Sequence, residues 1–96
     1  MTDNDKIAVI AHALSDPIRL AMIAMLRGQA DVCACEFQAQ LALSQSKASY
    51  HLKILVDAGL ITRTIRGTWS HYSVADKPAV ADLWTAFRRL AEDGGD

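Results

Sequence analysis

The stretch from Leu43 to Leu55, LSQSKASYHLKIL, decides the fold. Ser44 at its start is a typical helix N-cap, and apolar residues recur at helical spacing until Gly59, which marks the helix end. The outward positions early in this predicted helix carry short or flexible polar side chains, which can reach base edges and phosphates in a DNA major groove. The candidate contacts on this helix are Gln45, Ser46, Lys47, Ser49, Tyr50 and Lys53.

Downstream of Gly59 the apolar period changes from about 3.6 residues to 2, which is typical of β-strands. Residues 60–65 and 68–74 form two such runs, and Arg66-Gly67 lies between them as a turn. The sequence therefore predicts a β-hairpin directly after the long helix.

Positive charge is concentrated in this part of the chain. Between Ser44 and His71 four basic residues stand against Asp57 alone, a net charge of +3, so the remaining residues carry −4. Arg63 and Arg66 place part of that charge on the hairpin and near its tip. Polar residues on an amphipathic helix can simply face water, but a basic hairpin beside the helix favours contact with a nucleic-acid backbone.

The residues upstream complete a helix-turn-helix. Phe37 and Leu41 belong to a short third helix, and a tight turn joins it to the long one, so that the hairpin becomes a wing. Asp16-Pro17 separates two earlier helices as N-cap and first helical residue, and Pro78 begins a last helix. The predicted fold is a mainly α (α+β) winged helix-turn-helix in the order α-α-α-α-β-β-α.

Composition bounds the class of protein. Ninety-six residues, 51% of them hydrophobic and 22% charged, predict one soluble globular domain over residues 1–96. We expect a cytoplasmic protein with no membrane partner, because there is no apolar run of about 18 residues and no signal-peptide layout. An enzyme is not expected, since the sequence has no glycine-rich phosphate loop and no catalytic triad that so small a helical domain could assemble.

The terminal helices predict a homodimer. Ile7 and Ile10 near the start form one apolar stripe that so small a monomer would leave exposed. A second such stripe near the end consists of Val80, Leu83, Trp84 and Phe87. A second copy of the chain is the simplest partner to cover both stripes.

Cys33 and Cys35 are the only cysteines. In a reducing compartment, and at a strained separation of two residues, we expect no structural disulfide between them. Thiolates bind soft metals, and a helix N-terminus favours the thiolate, although a pair of small buried residues that only pack is the alternative. Residues i and i+2 on a regular helix point about 200° apart, so binding of one atom by both sulfurs predicts unwinding of the third helix. Peroxide should have little effect, because no well-placed resolving thiol is expected.

These motifs resemble the ArsR/SmtB family of winged-helix repressors. The resemblance implies a homodimer that binds double-stranded operator DNA and is released by a metal or metalloid, with no permanently bound cofactor. It also implies that Ser46, Ser49 and Tyr50 occupy the base-reading positions, although the family usually has histidine at the last of these. The segments that carry the resemblance are ALSDPIRL (13–20), VCACEF (32–37), LSQSKASYHLKIL (43–55), AGLI (58–61) and GTWSHY (67–72).

Cys33-Ala34-Cys35 resembles the thiolate site of the family's arsenite, antimonite, cadmium and lead sensors. Some arsenite sensors have a third cysteine where this chain has Gln38, so the third ligand must come from outside. We therefore expect As(III) or Sb(III) ahead of Cd(II), Pb(II) or Zn(II). The last helix has no histidine for the family's other metal site, and His12 and His71 are expected to be isolated structural residues. A thiol-based redox or persulfide switch, and a protein-interaction module without DNA binding, remain as alternatives.

Overall fold

The computed structural model describes residues 1–94 and confirms a winged helix-turn-helix. It adds one short strand to the predicted order, which becomes α-α-β-α-α-β-β-α. The elements are α1 (Asp3–Ala13), α2 (Pro17–Gly28), β1 (Val32–Cys33), α3 (Ala34–Leu41), α4 (Gln45–Asp57), β2 (Ile61–Arg66), β3 (Trp69–Val74) and α5 (Pro78–Asp93).

The helix starts follow the predicted caps. The Asp16 carboxylate accepts hydrogen bonds from the backbone N–H groups of Ile18 and Arg19 at the start of α2. Burial opposes ionisation of Asp16, but these hydrogen bonds, together with the nearby charges, outweigh it and lower the pKa of the carboxyl group. At the start of α4, Ser44 Oγ accepts from the Lys47 N–H at 3.1 Å. Both caps therefore satisfy backbone donors that the first helical turn leaves without partners.

The turn of the helix-turn-helix is closed by an alanine in an unusual backbone conformation. Ala42 ends α3 with φ 53°, in the left-handed region where glycine is the usual residue. The Leu43 N–H then donates to the Gln38 carbonyl at 3.0 Å. This bond reverses the chain quickly enough for α4 to begin at Gln45.

The three strands form an antiparallel sheet in the order β1-β3-β2. Arg66 pairs with Trp69, so the hairpin loop is Gly67-Thr68, one residue later than predicted. Gly67 has φ +63°, the conformation that a two-residue hairpin loop needs at its first position. Strand β1 pairs with β3 on the other side and connects the start of α3 to the wing.

The core lies between the helices and the sheet. Phe37 of α3 is fully buried, and its ring meets Tyr72 of β3 edge-on with centroids 6.0 Å apart. Leu52 and Leu55 of α4 and Ile61 of β2 are also buried. Because α4 buries this face, its opposite face and the wing are presented to solvent together.

The first two helices meet at a sharp corner, with an angle of 87° between them. Among residues 1–94 no single helix is long and apolar enough to span a membrane, although α1 and α2 taken together pass that test of length and composition as a bent pair.

Candidate nucleic-acid interface and cysteine pair

The predicted contact residues of α4 all lie on its exposed face. Tyr50 has the largest apolar surface of the set and is 61% exposed. Ala48 and Leu52 lie on the opposite face and are buried, which fixes the rotation of the helix. The residues presented to solvent are Gln45, Ser46, Lys47, Ser49, Tyr50 and Lys53.

A groove of about 630 Å³ separates α4 from the wing. Gln45, Ser49 and Lys53 line its helical side, and Arg63 lines the wing side. The Arg63 guanidinium donates to Ser70 Oγ from Nε at 3.0 Å and from Nη2 at 2.8 Å, so the side chain is held along the sheet. The structure therefore brings four predicted contacts together in one concave surface.

Sequence reasoning missed the second strand's contribution to this groove. Thr68, Trp69 and Ser70 line it as well, and Trp69 is 56% exposed. The ladder register accounts for Ser70, because Arg63 pairs with Tyr72, and Ser70, two residues before Tyr72, lies on the same face of the sheet. Thr68 and Trp69 reach the groove from the tip of the hairpin.

Arg66 lies on the other face of the wing. Its Nη1 atom is 3.0 Å from Asp31 Oδ2, and His71 Nδ1 is 3.2 Å from the same oxygen. The expectation that His71 is isolated is therefore wrong. Arg63 and Arg66 are three residues apart on one strand, and an odd separation puts side chains on opposite faces of a sheet. The structure thus groups Arg66 with Asp31, and Arg63 with α4.

Lys53 also has an acidic neighbour. Its Nζ lies 3.0 Å from Asp57 Oδ2 one helical turn later, and both side chains are well exposed. A pair so open to water holds the lysine only weakly, which leaves it free to exchange Asp57 for a phosphate.

The cysteines stand where strand β1 becomes helix α3. Cys33 is the N-cap, with an extended backbone at φ −69° and ψ 147°, and its sulfur accepts from the Cys35 N–H at 3.3 Å. Cys33 is buried and Cys35 is exposed. The Cys33 N–H is 3.4 Å from Glu36 Oε1, which completes a capping box.

The structure changes two predictions about this pair. The sulfur atoms of Cys33 and Cys35 lie side by side, with the Cα atoms 5.2 Å apart, so the pair is placed to close a disulfide, where no structural disulfide was expected. The expected conflict between two helical residues is also absent, because the extended backbone of Cys33 lies outside the helix. Both sulfurs therefore reach one point while α3 stays wound. Among residues 1–94 no group of three His, Cys, Asp or Glu side chains is arranged to hold a metal.

His51, on the buried face of α4, is a packing residue. It is 5% exposed, and its Nδ1 atom lies 2.9 Å from Nη1 of Arg19, itself 4% exposed. Arg19 also donates to the carbonyl oxygens of Ala13 at 2.7 Å and His12 at 3.1 Å, at the end of α1. Arg19 thus joins α1, α2 and α4, and nothing in the local sequence pattern marks it.

The charge state of His51 follows from this setting. Burial is the largest cause that lowers the pKa of His51; Arg19 and Lys47 lower it further, while Asp16 acts in the opposite direction. A neutral imidazole can accept a hydrogen bond from the Arg19 guanidinium, whereas an imidazolium would repel it.

Comparisons with known proteins agree with this geometry. The family model described as "Bacterial regulatory protein, arsR family" matches residues 16–63. An arsenical resistance operon repressor of Bacillus subtilis (strain 168) is 45% identical over 84 residues, which are 83% of this chain and 80% of that protein. A probable mercury resistance operon repressor of Streptomyces lividans is 40% identical over 93 residues, 96% of this chain and 72% of that protein.

A solved structure shares the fold. The homodimeric winged helix-turn-helix DNA-binding domain (fragment 1-100) of a possible ArsR-family regulator from Mycobacterium bovis superposes with a TM-score of 0.85 at 22% identity, covering 98% of this chain and 90% of that one. The family match runs from the start of α2 into β2 and so contains the whole helix-turn-helix. The chain belongs to the arsR family of bacterial regulatory proteins and is a winged-helix transcriptional repressor, not an enzyme.

Proposed function

We propose that this repressor binds double-stranded operator DNA as a homodimer and is released when As(III) or Sb(III) binds Cys33 and Cys35. Cd(II), Pb(II) and Zn(II) rank behind these two inducers. The observation that carries the proposal is the position of the cysteine pair, at the first turn of the helix-turn-helix and in the strand that pairs with the wing. The relatives' names, arsenical and mercury resistance operon repressors, support a soft inducer.

The DNA side of the proposal rests on the groove and on the exposed face of α4. Ser46, Ser49 and Tyr50 are proposed to read base edges in the major groove, because they lie at the exposed start of the helix. Lys53 and Arg63 on the two sides of the groove are proposed phosphate contacts. Gln45, Lys47 and Arg66 complete the proposed contact set.

The inducer side rests on thiol chemistry. When arsenite binds, each cysteine thiol gives up its proton, a sulfur–arsenic bond forms, and a hydroxyl group leaves as water. Two such steps use both sulfurs and leave one hydroxyl group on arsenic, which a small thiol can displace as water. Soft thiolate ligands favour soft ions over hard oxygen-preferring ones, which is why As(III) and Sb(III) lead the proposal.

Release requires only that the inducer bind the DNA-free conformation better than the DNA-bound one. Cys33 Sγ caps the Cys35 N–H, and the Cys33 backbone pairs with His71 of β3. A sulfur that is bonded to arsenic is a poorer cap, so ligation shifts the junction of β1 and α3. We propose that this shift reorients α4 relative to the wing and misaligns the two half-sites of the dimer.

The homodimer is proposed to form through α1 and α5. Ile7 is 61% exposed and Leu90 is 69% exposed, and Phe87 also faces solvent. Leu83 and Trp84 instead pack partly against the chain's own core, so they are poorer sites for a test. We expect Ile7→Asp with Leu90→Asp to give monomers in sedimentation at micromolar concentration. An unchanged dimer would place the interface elsewhere.

The test of the function is a mobility-shift assay with the DNA upstream of the chain's own gene. Reduced protein should retard this fragment, and arsenite and antimonite should release it at lower concentrations than cadmium, lead or zinc. No retardation under any condition would favour the protein-interaction module. Retardation that no metal or metalloid reverses would remove the inducer from the proposal.

A thiol redox switch is the second candidate, and the paired sulfurs favour it. Two thiols would form the disulfide while two electrons and two protons pass to an oxidant such as peroxide. The earlier expectation that peroxide has little effect assumed no suitably placed second thiol, and Cys35 is such a thiol. Peroxide therefore belongs in the same assay, and release by peroxide but not by arsenite would select this candidate.

A further inference from the structure

We infer that Asp31 is a positioning residue that couples the cysteine pair to the wing by holding Arg66. The inference rests on the proposed function, because it assigns a route for the signal from the proposed inducer site. Asp31 stands immediately before β1, two residues ahead of Cys33. Its carboxylate is the meeting point of the segment that carries the cysteines and the hairpin that is proposed to contact DNA.

The geometry ties three elements to one oxygen atom. Asp31 Oδ2 is 3.0 Å from Arg66 Nη1 at the end of β2, and 3.2 Å from His71 Nδ1 on β3. His71 is also the ladder partner of Cys33. A displacement of the Cys33 backbone is therefore felt at His71 through the ladder and at Arg66 through the carboxylate.

The Asp31 side chain is partly shielded from water, which strengthens its hold on Arg66. Its side chain is 25% exposed, and that of Arg66 is 62% exposed. A carboxylate partly shielded from water holds its partner more firmly than a fully exposed one does. In the DNA-free protein Arg66 is thus neutralised and held against the outer face of the wing. A DNA phosphate must compete with Asp31 for the same guanidinium.

Lys53 and Asp57 provide a matched control. That pair is also 3.0 Å long and borders the proposed DNA surface, but both side chains lie on α4 and are at least 60% exposed. The ion pair of Asp57 stays within α4, whereas that of Asp31 joins the segment before β1 to the wing. Asp31→Asn and Asp57→Asn therefore each remove one negative charge that pairs with a proposed DNA contact, and only the first cuts the connection to the cysteines.

The coupling can be measured without DNA. Trp69 is the ladder partner of Arg66 and one of two tryptophans, so Trp84→Phe leaves it as the only indole. In this background, arsenite added to reduced protein, and diamide as an oxidant that closes the cysteine pair, should each shift the Trp69 emission. Asp31→Asn should abolish both shifts, and Asp57→Asn should preserve them. Far-ultraviolet circular dichroism checks that each variant is folded.

The DNA assay supplies the second readout. Both asparagine variants should bind DNA more tightly than wild type, because each removes a negative charge. The ratio of affinities without and with arsenite should stay in the roughly 5- to 150-fold range of allosteric coupling for Asp57→Asn, and fall to about twofold or less for Asp31→Asn.

The outcomes separate this inference from the proposed function. If wild type binds no arsenite but diamide shifts the Trp69 emission in an Asp31-dependent manner, the inducer proposal fails and the coupling stands. If Asp31→Asn responds to arsenite and diamide as Asp57→Asn does, the coupling role of Asp31 is overturned. The same holds if neither reagent shifts the Trp69 emission in the Trp84→Phe background.

Discussion

The two helices of the helix-turn-helix begin in similar ways but in opposite surroundings. Cys33 caps α3 and Ser44 caps α4, and each side chain accepts a hydrogen bond from a backbone N–H of the first turn. Cys33 is 7% exposed and belongs to a sheet, whereas Ser44 is exposed and belongs to no strand. One helix start is thus embedded in the fold, and the other is open to solvent.

The atoms that form the caps give this contrast its meaning. A serine hydroxyl keeps its role as a hydrogen-bond acceptor under all physiological conditions, so the start of α4 is constant and suited to reading DNA. A thiol changes its bonding when it meets a soft metalloid or an oxidant. The start of α3 can therefore respond to chemistry, and its place in the sheet carries the response to the wing.

The largest effect is expected on operator affinity, at the exposed start of α4 that Ser44 caps. Ser49→Ala should weaken operator binding by about 1 to 3 kcal/mol and affect random DNA little, because it removes a base contact. Lys53→Ala is the control, and it should weaken both DNAs alike and reduce the salt slope by about one unit. Fluorescence anisotropy at several salt concentrations measures both variants. Equal losses on operator and random DNA for Ser49→Ala would remove the base-reading role.

The two caps should differ in what a substitution costs the fold. Ser44→Ala should lower the free energy of unfolding by about 1 kcal/mol, since it leaves the N–H of Lys47 without its side-chain acceptor. Cys33→Ser should change the reduced protein less, because a hydroxyl group still caps α3. Urea denaturation in a reducing buffer compares them. A larger loss for Cys33→Ser would show that the thiol's packing, and not its capping bond, sets its structural role.

The smallest effect is expected in the pH dependence of the free energy of unfolding, through His51 on the buried face of α4. The pKa of His51 lies below its usual 6.5, mainly because of burial, so the unfolded chain takes up a proton first as pH falls. The free energy of unfolding should therefore decline below about pH 6.5, by at most about 1.4 kcal/mol per pH unit. Above that pH His51 is neutral in both the folded and the unfolded chain, so its contribution to the free energy of unfolding does not change with pH.

His51→Asn tests this dependence, because the asparagine Oδ1 can take the place of Nδ1 opposite Arg19 without titrating. Its unfolding free energy should vary less between pH 6.5 and 5 than that of wild type. Identical slopes for wild type and His51→Asn would show that His51 does not carry the effect.

Local signals predicted much of this architecture. The cap at Ser44, the stop at Gly59 and the change of period that follows are properties of short segments, and all three appear where the sequence puts them. Strand β1 was missed because two residues have no period. Its omission also moved Cys33 into the helix, and the prediction that ligation must unwind α3 rested on that placement, which the extended backbone of Cys33 removes.

Contacts between distant segments could not be predicted in the same way. Arg19 meets His51 across 32 residues, and Asp31 meets Arg66 across 35, and neither pair has a sequence spacing that announces it. These two contacts depend on how the wing, β1 and α2 pack, which only the folded chain defines. The placement of Arg63 and Arg66 on opposite faces of the wing, in contrast, could have been predicted from the sequence, because residues three apart on a strand face opposite sides.

The most direct test of the central claim compares release from operator DNA for wild type, Cys33→Ser and Cys35→Ser in reducing buffer. Serine preserves the shape and the cap but cannot bind arsenic as a thiolate does. All three proteins should bind the operator, and arsenite should release wild type alone. Release of both serine variants by arsenite would contradict the account and place the sensing site outside the start of α3.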